Sequence, residues 1–234
     1  MSSRKIAVIT LLSAGLLLAA PASAEVSGSV TVVRAYLFRG VTQTNENPAL
    51  QAGVNWEHES GFYAGAWGSS ISWLSDSDPD VSSQVELDGF LGYAGDFGDS
   101  GVGYDVGANY YWYPGDYPAG YNSPDTLELY FGLNWYVLSA KYSYATTDLL
   151  GIPDSDGSAA LDLGAGWEFE GGWSVGAGYG RQWVSGYGGD LDYDYWKLAG
   201  GKSFENGFAI GAEWHDTDLA GLDDTVLVSL SMSF

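Results

Sequence analysis

Asp224 to Phe234, the last eleven residues, restrict what the chain can fold into more than any other stretch. Val226, Val228, Leu230, Met232 and Phe234 share one parity, while Leu227, Ser229, Ser231 and Ser233 share the other. A period of two is the mark of a β-strand, here with one oily face and one small, mostly polar face. The pattern recurs from Glu25 onward, and no stretch carries a convincing helical stripe. Apolar residues of one parity mark strands over 26–32, 50–56, 62–66, 85–93, 102–112, 127–135, 138–144, 161–169, 173–179, 196–198, 208–214 and 226–234, twelve in all. The facing of the third is open, because Tyr63 and Trp67 sit on the parity opposite Phe62, Ala64 and Ala66. The tenth is the weakest, resting on Trp196 and Leu198.

The connections distinguish a closed barrel from a two-sheet sandwich. Those after odd strands are long (38–48, 72–82, 113–125, 146–158, 184–192 and 216–224), and those after even strands are short (57–61, 95–100, 135–138, 170–172 and 203–207). An antiparallel barrel with an even strand number and both termini on one side alternates in this way, with long loops facing outward and short turns facing the periplasm. All six prolines beyond Pro21 fall in the long connections, where none interrupts a ladder. Trp and Tyr gather at strand ends, as in Trp112 with Tyr113, Trp135 with Tyr136, and Trp173. Such rings suit the level of lipid headgroups, although a sandwich core rich in aromatics also uses them. The fold expected is all-β: one closed antiparallel transmembrane β-barrel of about twelve strands.

Arg4 and Lys5 precede an apolar run over 6–20 and the sequence Pro21-Ala22-Ser23-Ala24, the layout of a secretory signal peptide cleaved after Ala24. That run is shorter than the roughly twenty residues a spanning helix needs. Residues 1–24 are therefore read as signal peptide and 25–234 as one barrel domain. Cleavage would leave 234 − 24 = 210 residues with a formal charge of −22 − 2 = −24, which excludes nucleic acid as a partner. Cysteine is absent, so there is no thiolate site, Cys nucleophile or disulfide framework.

The terminal strand, ending on Phe234, resembles the C-terminal strand that outer-membrane barrels present to their insertion machinery. Tyr36-Leu37-Phe38-Arg39-Gly40-Val41-Thr42-Gln43, the run Gly61 to Ser69 and the run Glu86 to Tyr93 resemble the signatures of the TorF-type porins, also catalogued as conserved proteobacterial proteins of unknown function. Arg34 departs from the small or acidic residue expected before the first signature. The resemblance spans essentially the whole mature chain and implies an outer-membrane location and a pore. It brings no catalytic residues.

The parity opposite each oily face defines an interior carrying Gln51, Asn55, Glu86, Asp88, Asp105, Asn109, Glu128, Asn134, Lys141, Asp162, Lys197 and Glu213. Carboxylates outnumber cations there, which suits a passage preferring cations. The alternative is a filled barrel in which these groups satisfy one another. Lys141 is expected opposite Asp162, since a symmetric loop over 146–158 pairs residues whose numbers sum to about 303, and Glu128 or Tyr130 is expected nearby. Alternating aspartates at 76, 78 and 80 and at 190, 192 and 194 offer hard oxygens, but Val81 and Leu87 break the EF-hand pattern. The loops read as a solvated acidic rim, with divalent ions bridging to lipopolysaccharide as a further possibility; no metal site and no cofactor is assigned.

The expected function is passive diffusion of small hydrophilic solutes or cations across an outer membrane, in contact with its lipid and lipopolysaccharide. Two other classes stay open. His215 beside Asp216 is the one rim pair able to activate water in a barrel hydrolase, and the acidic loops would serve a structural or adhesive barrel.

Overall fold

The computed structural model describes residues 24–234, so the expected signal peptide lies outside the described residues. Fourteen strands form in chain order: β1 Glu25–Val33, β2 Leu37–Phe38, β3 Val41–Thr42, β4 Ala49–Glu57, β5 Phe62–Ser70, β6 Val85–Asp96 and β7 Val102–Trp112, then β8 Thr126–Trp135, β9 Leu138–Ala145, β10 Ala159–Phe169, β11 Trp173–Trp183, β12 Tyr193–Ser203, β13 Phe208–Thr217 and β14 Thr225–Ser233. Twelve of them close into an antiparallel barrel in which each strand pairs with its chain neighbour, β1 pairs with β4 across the segment that holds β2 and β3, and β14 closes on β1. The remaining two form a separate hairpin.

The oily parity of every long strand faces outward. Leu91, Val106, Phe131, Leu163, Leu198 and Val228 stand on the outer surface with side chains exposed. Closure leaves no unpaired strand edge, which is how a β-structure satisfies its backbone without water. The third strand's facing resolves with Phe62 outside, 59% exposed, and with Tyr63 and Trp67 turned inward. Phe234 completes the seam: its amide and carbonyl exchange hydrogen bonds with Gly28 at 3.0 and 2.8 Å, and its ring lies over Gly28 where a Cβ would intrude.

One expectation needs correction. Not all long connections form a solvated outward rim. Val33, Ala35, Tyr36, Ala49, Ile71, Leu74, Val81, Tyr111, Tyr113 and Leu227 make a buried apolar cluster at the long-loop end. The connections after β1, β5 and β7 fold onto the inner wall there, and the second of them includes the short helix α1, Trp73–Ser77. The cause is the inner parity itself, which turns apolar near this end: Val33, Ala49, Tyr111 and Leu227 offer an oily floor that Leu74 and Val81 cover. A smaller cluster of Ala145, Leu149 and Val184 ties together the connections after β9 and β11.

Candidate functional site

The first signature motif builds the site. Phe38 pairs with Val41, leaving Arg39 and Gly40 as a two-residue turn with φ of 48° and 81°. Positive φ at both positions is the geometry of a type I′ hairpin, whose twist matches its strands. Glycine takes it freely, whereas arginine is strained by roughly 1–2 kcal/mol. The strain is offset at the tip. Arg39 Nη1 and Nη2 donate to the two oxygens of Glu128 at 2.8 Å each, and Nη1 donates to Gln182 Oε1 at 2.9 Å.

Those partners place the hairpin. It leaves the wall between β1 and β4, yet Glu128 lies on β8 and Gln182 on β11, so Arg39 crosses the interior to the far wall. The Arg39 and Glu128 side chains are 7% and 4% exposed, a buried bidentate pair. Tyr111 donates a further hydrogen bond to Glu128, and Gln182 is oriented by its own bonds to the carbonyls of Ala159 and Trp183. Phe38 packs edge-on against Tyr111, and the guanidinium lies over the Phe38 ring. Gly40 presses so closely on Tyr195 and Thr217 that a Cβ would come 2.9 Å from that of Tyr195. At the base, the Tyr36 hydroxyl donates to Glu86 on β6 at 2.9 Å. The hairpin thus touches β6, β7, β8, β11, β12 and β13, spanning the mouth from inside.

Deeper in the barrel, tyrosines reach across glycines to carboxylates. Tyr63 donates to Asp105 at 2.6 Å and also meets the Tyr130 hydroxyl. The ends of the Tyr63 and Tyr130 rings lie where side chains at Gly92 and Gly107 would stand. Tyr195 on β12 donates to Asp162 on β10 at 2.5 Å, passing over Gly180, the residue of β11 in register with both.

All twelve sequence-predicted interior residues lie on the inner parity, none of them exposed. Gln51, Glu86 and Glu128 are buried. Asn55 bonds Glu57 at 2.8 Å, Asn109 reaches Asp88 at 3.4 Å, and Lys197 lies 3.9 Å from Glu213. Asn134 stands over Gly103. Lys141 and Asp162 are Cα partners, so the register follows the expected sum, but they form no ion pair. The Lys141 ammonium lies instead 4.2 Å from the centroid of the Tyr130 ring, and Asp162 is taken by Tyr195.

His215 corrects a second expectation. Its Nε2 meets Glu213 at 2.7 Å, because residues two apart share a face, whereas adjacent Asp216 points the other way. The alternating aspartates are spent locally: Asp76 on Ser72, Asp78 on the Asp80 amide, and Asp192 on the Val184 amide, while Asp194 pairs with Arg181 at 3.2 Å. Sequence reasoning missed Arg39, Tyr36, Gln182 and the tyrosine bridges. For the hairpin a signal existed: Arg-Gly flanked by Leu-Phe and Val-Thr is a turn between two short β-prone pairs.

The fold and site define a closed twelve-stranded antiparallel barrel with an apolar exterior, a polar interior and a hairpin across one mouth, the architecture of porin-type barrels. The chain belongs to the family described as a bacterial protein of unknown function (Gcw_chp), whose sequence model matches residues 18–228. It is similar in structure to the KdgM porin, at 10% identity and a TM-score of 0.58, over 89% of this chain and 99% of that one. It is also similar to a deletion mutant of the monoaromatic hydrocarbon channel TodX, at 12% identity and a TM-score of 0.55, over 92% and 90%. A third match is an outer membrane channel from Pseudomonas putida F1, at 12% identity and a TM-score of 0.51, over 92% and 96%. No curated protein matches the sequence.

Proposed function

We propose that the chain is an outer-membrane channel of TorF type for passive diffusion of small hydrophilic solutes or cations, with the β2–β3 hairpin as its constriction. The observation that carries this reading is the hairpin tip, latched across the interior by Arg39 to Glu128 and Gln182 inside a barrel with an apolar exterior. In this reading residues 1–24 are the export signal, Phe234 belongs to the insertion signal, and the acidic loops meet lipopolysaccharide.

The porin-like fold supports a channel rather than an enzyme, and His215 is assigned no catalytic role. Asp105, Asp162 and Glu213 against Lys141 and Lys197 leave the deeper interior net negative, which favours cations. The test is single-channel conductance of the refolded protein in planar bilayers. Arg39→Ala removes three hydrogen bonds at the tip and is expected to raise the mean conductance or the open fraction, while His215→Ala leaves conduction intact. A chain that never conducts, with or without Arg39, sinks the reading.

A further inference from the structure

Glu86 and Asp88 present a puzzle that the hairpin does not resolve. They sit two residues apart on β6 and share its inner face. Glu86 is 1% exposed; its Oε1 accepts from Tyr36, but its buried Oε2 has no hydrogen bond of ordinary geometry among the described residues, only the Tyr113 hydroxyl facing the carboxylate from farther off. Asp88 repeats the pattern. Its Oδ2 takes only the long bond from Asn109, and its Oδ1 is buried with none. Neither carboxylate has an ion pair among the described residues, and Arg39, which shares the mouth, is committed to Glu128 and Gln182. Burying a charge is strongly unfavourable unless it is paired and hydrogen-bonded.

We propose that Glu86 and Asp88 hold a hard divalent cation of the Ca²⁺ class, closed over by Tyr36 of the hairpin. The groups gathered here are two carboxylates, the Tyr36 hydroxyl, the Tyr113 phenol beside Glu86, and the Asn109 amide, which now turns its nitrogen to Asp88 and would offer a cation its oxygen by rotating half a turn. Imidazole and thiolate, which zinc favours, are missing from this set. Two carboxylates balance one divalent charge, and Ca²⁺ accepts six to eight oxygens in irregular arrangement, whereas Mg²⁺ demands a near-ideal octahedron. Protons are the competing occupants: one on each carboxylate removes the charge but leaves an oxygen of each buried without a partner. Because Tyr36 is part of the hairpin, a cation bound here also fastens the base of the constriction.

The site goes beyond the channel reading, since binding at equilibrium requires no conduction, and either idea can fail alone. The experiment is thermal unfolding of the refolded full chain in detergent, titrated with Ca²⁺ after chelation. The wild type is expected to unfold at a temperature that rises with Ca²⁺. Glu86→Gln and Asp88→Asn, near-isosteric changes that keep the side-chain shapes, are each expected to need at least tenfold more Ca²⁺ for the same rise. The double variant Asp76→Asn with Asp78→Asn, on the loop surface, is expected to respond as the wild type does. Tb³⁺ luminescence excited through tyrosine, displaced by Ca²⁺, gives a second readout: the component lost in Asp88→Asn is the one this site contributes. A wild type indifferent to Ca²⁺, or a response kept in both Glu86→Gln and Asp88→Asn, overturns the proposal; in the first case the carboxylates carry protons instead.

Discussion

Arg39 and Gly180 act on the same interior by opposite means, one through what its side chain reaches and the other through having none. Arg39 spans the interior only because its turn holds it in a left-handed conformation, and nothing local in the sequence names its partners, which lie 89 and 143 residues away. That is why Glu128 was legible as an interior residue while its bond to Arg39 was not: parity sets the face, and only closure of the barrel sets the distance. Gly180 leaves the space that the Tyr195 ring occupies on its way to Asp162. Gly180→Ala is therefore expected to push Tyr195 off Asp162 and destabilise the barrel by about 1–3 kcal/mol, as overpacking does. Denaturant unfolding of the refolded variant checks this; unchanged stability would mean the ring moves aside without loss.

Strands and loops divide the sequence information unevenly. β7 carries Val102, Tyr104, Val106, Ala108, Tyr110 and Trp112 on one parity, and Val106 stands on the outer face, 46% exposed. If that face meets lipid, Val106→Arg near the midplane is expected to cost roughly 2–4 kcal/mol. Refolding of the variant into bilayers with wild-type stability would contradict a lipid-facing β7. Loops were legible in length but not in direction, because folding inward depends on whether distant strands offer an apolar floor. Leu227 was a clue, an oily residue on the polar parity of the terminal strand, and it belongs to the mouth cluster. The connection after β9 is held differently. Asp148 accepts from Asn122 at 2.9 Å and from the Ser155 amide at 3.0 Å, and the Asn122 bond, ahead of the amides of Ser155, Asp156 and Asp154, holds its carboxyl below the usual aspartate range. A depressed folded-state pKa gives stability that is present above the unfolded-state value and lost as pH falls through the folded-state value. Acidification below the ordinary aspartate range is thus expected to lower the protection of the amides over 148–155 relative to their intrinsic exchange rates, and Asp148→Asn is expected to show low protection at every pH.

At the scale of the whole molecule, closure and charge together decide, in the channel reading, what the barrel passes. The exterior is apolar and the deeper interior carries carboxylates with few cations, so the strongest fixed field lies inside, where the low-dielectric wall screens it least. Lys141 is the cation that tempers this field beside Asp105 and Asp162, and its place over the Tyr130 ring keeps it in the interior rather than neutralised in one ion pair. Lys141→Ala removes one positive charge without disturbing the strand register, since residue 141 keeps its backbone bonds to β8 and β10. In the channel reading, reversal potentials across a salt gradient are expected to shift toward stronger cation preference in this variant. The shift should be larger at low ionic strength, where the Debye length is about 30 Å at 0.01 M, than at 1 M, where it is about 3 Å. An unchanged reversal potential in a variant that demonstrably conducts would mean that ions pass along another wall, and the interior charges would then serve stability alone.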